Sequence, residues 1–170
     1  MSQITDSLGG PRPIVVGVAE LRSASAPEVL ATHALGSCIG VTVWDPVTRV
    51  GGLLHYMLAT PSDRAKAEQA RAMYAVSGVP ALFREVYALG AVKERLIVCA
   101  AGGAGILADS VGFDIGKRNQ AILRRLFIKN GIALHAEDVG GSDARHLYLD
   151  LSTGTVTVRI NNKEHTLWQR

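Results

Sequence analysis

Cys38 and His55 stand at the two ends of "CIGVTVWDPVTRVGGLLH", a run of β-branched residues and glycines interrupted by "DPVT". Such a run reads as a two-stranded hairpin. If Pro46 and Val47 are the central turn residues, Asp45 faces Thr48 and Cys38 faces His55, their Cβ atoms about 4.5–5.5 Å apart. A three-residue loop would put the two side chains on opposite faces. In the first register Ile39, Val41, Val43, Val50 and Leu54 share an apolar face. Cys38, Gly40, Thr42, Trp44, Arg49, Gly51 and His55 share a more polar one, with Gly40 leaving space beside the pair. A thiol within reach of an imidazole can give up its proton and attack a carbonyl as the thiolate. A hydroxyl or carboxyl group normally orients such a histidine, and Thr32, Ser37 and Thr42 are the candidates nearby. Backbone N–H groups around Gly36–Ser37–Cys38 could receive an oxyanion. From spacing alone, the pair reads equally well as catalytic or as a buried thiol and a histidine bonded to a carbonyl.

The remaining elements must position these residues. Gly9, Gly10 and Pro11 punctuate a flexible tail, expected over residues 1–12, before a single domain over 13–170. A strand is expected at Ile14–Glu20 and an extended segment at Val29–Ala34. The hairpin strands follow at Ile39–Trp44 and Val50–Tyr56. Arg64–Leu89 is helical in composition, but Gly78 and Pro80 argue against one rod, so the surer helix is Ser77–Leu89 with Ser77 as N-cap. "RLIVCAA" reads as a buried strand in which Cys99 is a small hydrophobe. The clearest helix is Lys117–Asn130, its Ile122, Leu123, Leu126 and Phe127 on one face and Gly131 at its stop. Three closing strands are expected at Ala133–Val139, Arg145–Leu151 and Thr155–Ile160. Many strands and two main helices out of strict alternation imply an α+β fold with mixed or antiparallel sheets.

The 170 residues carry a net charge of +3, 48% hydrophobic residues and few aromatics. Scattered Arg64, Lys66, Arg124, Arg125 and Lys129 fit solvated helix faces better than a nucleic-acid stripe. No secretory signal or membrane-length apolar run is visible, and two cysteines without framework spacing suggest a reducing, cytoplasmic setting. Gly103, Gly105 and Ala108 fit a relaxed dinucleotide fingerprint, but residues 115–136 hold no acidic partner for a ribose. A glycine loop is the better reading, and no cofactor or metal is expected. Asp138 and Asn119 read as turn and helix-start residues.

"LGSCIGVTVWD" followed by "GGLLHYML" resembles the signature of the CheD family of chemoreceptor glutamine deamidases. The resemblance continues through "GGAGIL", "IGKRN", "DVGG" and "TGTVTV", in order from Val15 to Val158. It implies a cysteine hydrolase with the nucleophile at Cys38, the general base at His55 and the orienting hydroxyl at Thr32. It also implies a fold similar to deamidating bacterial toxins, packed sheets with helices outside. The implied partners are the cytoplasmic domains of methyl-accepting chemoreceptors and a CheC-type phosphatase. The alternative is a protein that mainly regulates such a phosphatase. A monomer that does not insert into membranes is expected. Some members also hydrolyse receptor methyl esters. The chain departs from the family pattern at Ala59, Val76, Cys99 and Ala144, none of them one of the three site positions.

Overall fold

A computed structural model of the chain describes residues 12–105 and 114–170. The expected tail lies almost wholly outside the described residues, as does Ala108. Two five-stranded sheets pack face to face, with helices on the outer side of one of them. In chain order the elements are β1 (Ile14–Val15), β2 (Glu20–Ser25), β3 (Val29–Leu35), β4 (Ile39–Asp45), β5 (Val50–Tyr56), α1 (Arg64–Gln69), α2 (Ala75–Ala88), β6 (Ile97–Gly102), α3 (Ile115–Asn130), β7 (Ala136–Val139), β8 (Arg145–Asp150), β9 (Val156–Ile160) and β10 (Lys163–Trp168). One sheet has the order β1-β3-β8-β9-β10 and the other β2-β5-β4-β6-β7. The pairs β1–β3 and β6–β7 are parallel and the rest antiparallel, so the expected mixed α+β class holds.

The β4–β5 hairpin lies at the centre, and all fourteen of its strand residues are buried because both faces are covered. Ile39, Val41, Val43, Val50, Leu54 and Tyr56 meet Val79, Leu82, Leu123 and Phe127 of the two main helices. The face expected to be the more polar one packs against the other sheet instead. There Trp44, Leu53, Cys99 and Ala101 meet Leu30, Leu35, Leu147 and Leu149. A Cβ on Gly40 would come within 2.8 Å of Leu147 and 3.0 Å of Leu35, so leucine side chains fill the space that glycine was expected to leave open.

The turn also differs from expectation. It is a four-residue loop, Pro46–Arg49, closed by Asp45 facing Val50. The Arg49 N–H donates to the Asp45 carbonyl at 2.8 Å, and Arg49 adopts a left-handed φ of 52°. The buried Asp45 carboxylate organises this loop. It accepts the Val47 and Thr48 N–H groups, the Val92 N–H and the Arg95 guanidinium, the last at 2.7 Å. Burial pushes its pKa up, but these donors outweigh that and hold it at about 2. The register therefore moves by two residues: Gly40, not Cys38, faces His55. A two-residue shift preserves faces, so Cys38 and His55 remain on the same side of the sheet as diagonal neighbours.

Four other expectations need correction. The predicted strand Ile14–Glu20 is split by a turn with Ala19 at φ 59°, which sends β1 and β2 to different sheets. Helix α2 begins at Ala75 rather than Ser77, and Ser77 instead bonds back to the Arg71 and Tyr74 carbonyls from the first turn. Strand β7 begins three residues later than predicted, at Ala136. A tenth strand, β10, pairs with β9 where none was predicted. Among the described residues, no helix is long and apolar enough to cross a membrane.

Candidate active site

Cys38 lies one residue before β4, where the antiparallel ladder with β5 ends at Ile39–Tyr56. It is partly exposed and packs at the edge of the cluster between the sheets. His55, on β5, points into the same interface and is fully buried. Its Nδ1 lies 2.8 Å from Thr32 Oγ1, on β3 of the opposite sheet. The Thr32 hydroxyl donates its one proton to the Val16 carbonyl at 2.7 Å, so it must accept from His55, and Nδ1 carries the ring hydrogen. Nε2 is then a bare lone pair, and it is buried with no hydrogen-bond partner. A β-bulge between Thr32 and Leu35, with Ala34 at φ 56°, allows both of those side chains to face inward. Of the three hydroxyls considered from sequence, Thr32 is the one that meets the ring. Thr42 instead lies 3.5 Å from the Cys99 carbonyl.

The loop carrying the thiol is fastened through its carbonyls. Ala104 N–H donates to Gly36 O at 2.8 Å, and Gly103 N–H donates to Cys38 O at 2.8 Å. The amide nitrogen of Asn119 donates to Ser37 O at 2.9 Å and to Met57 O at 2.8 Å. Gly102, at φ 113°, is required here because a Cβ would collide with the Cys38 carbonyl. Asn119 was set aside in the sequence as a helix-start residue, yet it is fully buried and touches both strands of the hairpin mouth. Its place in "IGKRN", one turn into the clearest helix and on its buried side, was the available signal. Asp138 lies elsewhere, paired with Arg145 and His165.

Burial sets the electrostatics. It pushes the Cys38 thiol up, with the residue's own backbone N–H pulling the other way, and it lowers His55 to about 4. Both shifts favour the neutral forms of thiol and imidazole, and no hydrogen bond joins the Cys38 sulfur to His55 Nε2. Cys99, fully buried on β6, is pushed to about 12 and is inert. No group of three or more His, Cys, Asp and Glu residues that could hold a metal ion occurs among the described residues.

The His55 shift has a pH consequence. Its folded pKa lies below the usual 6.5, so its contribution to stability is complete above pH 6.5 and is lost as pH falls towards 4. The expected loss is roughly 3 kcal/mol over that window. Urea unfolding of wild type and His55→Gln at pH 7, 5.5 and 4 reads it. The wild-type curve should fall more steeply, and parallel curves would contradict a buried neutral imidazole.

A family model described as CheD chemotactic sensory transduction matches residues 57–160, beginning just past His55. A protein of Solibacter usitatus named "Probable chemoreceptor glutamine deamidase CheD" is 45% identical over 156 residues, covering 91% of this chain and 92% of the relative. One from Syntrophus aciditrophicus, of the same name with the number 1, is 43% identical over 148 residues, covering 86% and 92%. An archaeal relative from Pyrococcus abyssi, bearing the first of these names, is 41% identical over 150 residues, covering 87% and 91%.

Proposed function

The chain belongs to the CheD family, and from that premise we propose that it deamidates glutamine side chains of chemoreceptors by cysteine catalysis. The observation that carries the reading is the buried Thr32–His55 hydrogen bond, which leaves Nε2 bare on the face that Cys38 shares.

The Cys38 thiol gives its proton to His55 Nε2 as sulfur attacks the carboxamide carbon. Negative charge gathers on the former carbonyl oxygen, and the Cys38 N–H is the donor we assign to it. The C–N bond then breaks, nitrogen takes the proton from Nε2, and ammonia leaves a thioester on Cys38. A water molecule gives one proton to Nε2 and attacks the thioester carbon. The C–S bond breaks, releasing glutamate, and the sulfur recovers its proton from the imidazolium. Thr32 keeps the ring in the tautomer this sequence of transfers needs. Hydrolysis of a receptor glutamate methyl ester would pass through the same thioester, with methanol leaving in place of ammonia.

The test is to incubate the protein with purified receptor cytoplasmic domains, follow ammonia release and map amide-to-acid mass shifts by peptide. Shifts confined to a few glutamines are expected. A receptor unchanged at every glutamine would overturn the reading.

A further inference from the structure

We infer that Asn119 is a positioning residue: its side-chain amide spans the open mouth of the β4–β5 hairpin and sets the separation of Cys38 from His55. The inference rests on the catalytic reading of that pair. The ladder between the two strands ends at Ile39–Tyr56, and the next facing pair would be Cys38 and Met57. The chain separates there. Met57 and Leu58 turn their N–H groups away to the Met73 carbonyl, and Cys38 begins the loop leading back to Gly36. Just past the last pair, Cys38 on one strand end and Met57 on the other therefore lack ladder bonds to each other, one residue from Ile39 and two from His55.

Asn119 occupies the gap from the helix side. One primary amide has two N–H donors, and these go to Ser37 O at 2.9 Å and Met57 O at 2.8 Å, one on each strand end. The residues flanking those carbonyls are Cys38 on one side and Tyr56, next to His55, on the other. The Tyr56 phenol donates in turn to the Asn119 backbone carbonyl at 2.7 Å, so helix and strand hold each other reciprocally. Gln120, the next residue, donates to Gly103 O at 2.9 Å, and Gly103 N–H holds Cys38 O. The first turns of α3 thus hold the nucleophile loop directly at Ser37 O and indirectly, through Gly103, at Cys38 O, and the base strand at Met57 O and the Tyr56 phenol. Asn119 is fully buried on the face of the sheet opposite the thiol, so it acts through backbone position and not on substrate. Aspartate there would set a carboxylate against two carbonyl oxygens, and alanine would leave both carbonyls without a partner.

Asn119→Asp and wild type are compared by three readouts: the thermal melt, kcat and KM for receptor deamidation, and the pH dependence of Cys38 alkylation by iodoacetamide, with His55→Ala as reference. Loss of positioning by about an ångström lowers kcat about a hundredfold, with KM changed less than about threefold. Alkylation of Asn119→Asp at pH 7 should slow to the His55→Ala rate, because the thiol no longer reaches its base. A purely structural role would lower the melt without merging the two alkylation profiles. If Asn119→Asp does not melt cooperatively, Tyr56→Phe, which deletes only the reciprocal bond, carries the same readouts with an expected three- to tenfold fall in kcat. A folded variant with wild-type or faster alkylation, or with undiminished kcat, overturns the inference. If wild type itself releases no ammonia from receptors, the deamidase reading fails, while the alkylation profiles still decide whether Asn119 holds thiol and imidazole together.

Discussion

Cys38→Ala and Cys38→Ser are both expected to reduce glutamine deamidation to background, a loss of about 10⁴-fold or more. Alanine has no nucleophile. Serine fails for a different reason: its hydroxyl is a much weaker acid and a poorer nucleophile than a thiol. The fold should survive both changes. Cys38 is partly exposed at the rim of the inter-sheet cluster, and its carbonyl, not its sulfur, is what Gly103 holds. A stability change below about 1 kcal/mol is expected by thermal melt. Peptide mapping for amide-to-acid conversion measures the activity, and quenching wild-type turnover with hydroxylamine should trap the acyl group as a hydroxamate. Cys99→Ser supplies the control, since that thiol is sealed in the core, and it is expected to keep wild-type activity. If Cys38→Ala deamidates receptors as well as wild type, the nucleophile is elsewhere.

Thr32→Val should lower kcat about 10²- to 10³-fold while Thr32→Ser stays within about tenfold of wild type. Valine matches threonine in shape, so the inter-sheet packing is kept and only the hydroxyl is lost. That hydroxyl joins the Val16 carbonyl to His55 Nδ1 in one chain of hydrogen bonds. Without it the Nδ1 hydrogen has no acceptor, and the tautomer with hydrogen on Nε2, useless as a base towards sulfur, becomes accessible. Leaving a buried N–H and a buried carbonyl unpaired also costs about 1–3 kcal/mol each, so Thr32→Val should melt earlier than Thr32→Ser. Steady-state kinetics and melts on both variants separate the two effects. Equal kcat for Thr32→Val and wild type would show that the ring needs no orienting partner.

Much of the site was legible because hairpin alternation survives an error of two residues in register, though not of one. The loop closes at Asp45–Val50, two residues of register away from the predicted pairing, and Cys38 and His55 still share a face. That shift was hidden because the Asp45 side chain, fastened by Arg95 from a distant segment, selects the four-residue loop. Strand β10 was missed because "KEHTLW" is mostly polar and lies at an exposed sheet edge, where no buried face imposes alternation. Asn119 was misread because its partners, Ser37 and Met57, are 82 and 62 residues away.

The order of strong local patterns, hairpin, amphipathic α3 and Gly131 stop, is a property of the sequence, because propensity and periodicity act over a few residues. So is the presence of a cysteine and a histidine on one hairpin face. Spacing left Thr32, Ser37 and Thr42 as equal candidates to orient the ring, the family resemblance pointed to Thr32, and the tertiary structure is what sets the Thr32 hydroxyl against the ring. Packing one sheet on the other brings β3 across to β5 and puts a hydroxyl against Nδ1. The same packing buries the imidazole, lowers it to about 4 and leaves Nε2 bare. Both effects follow from exclusion of water between two sheets, which no short stretch of sequence can specify.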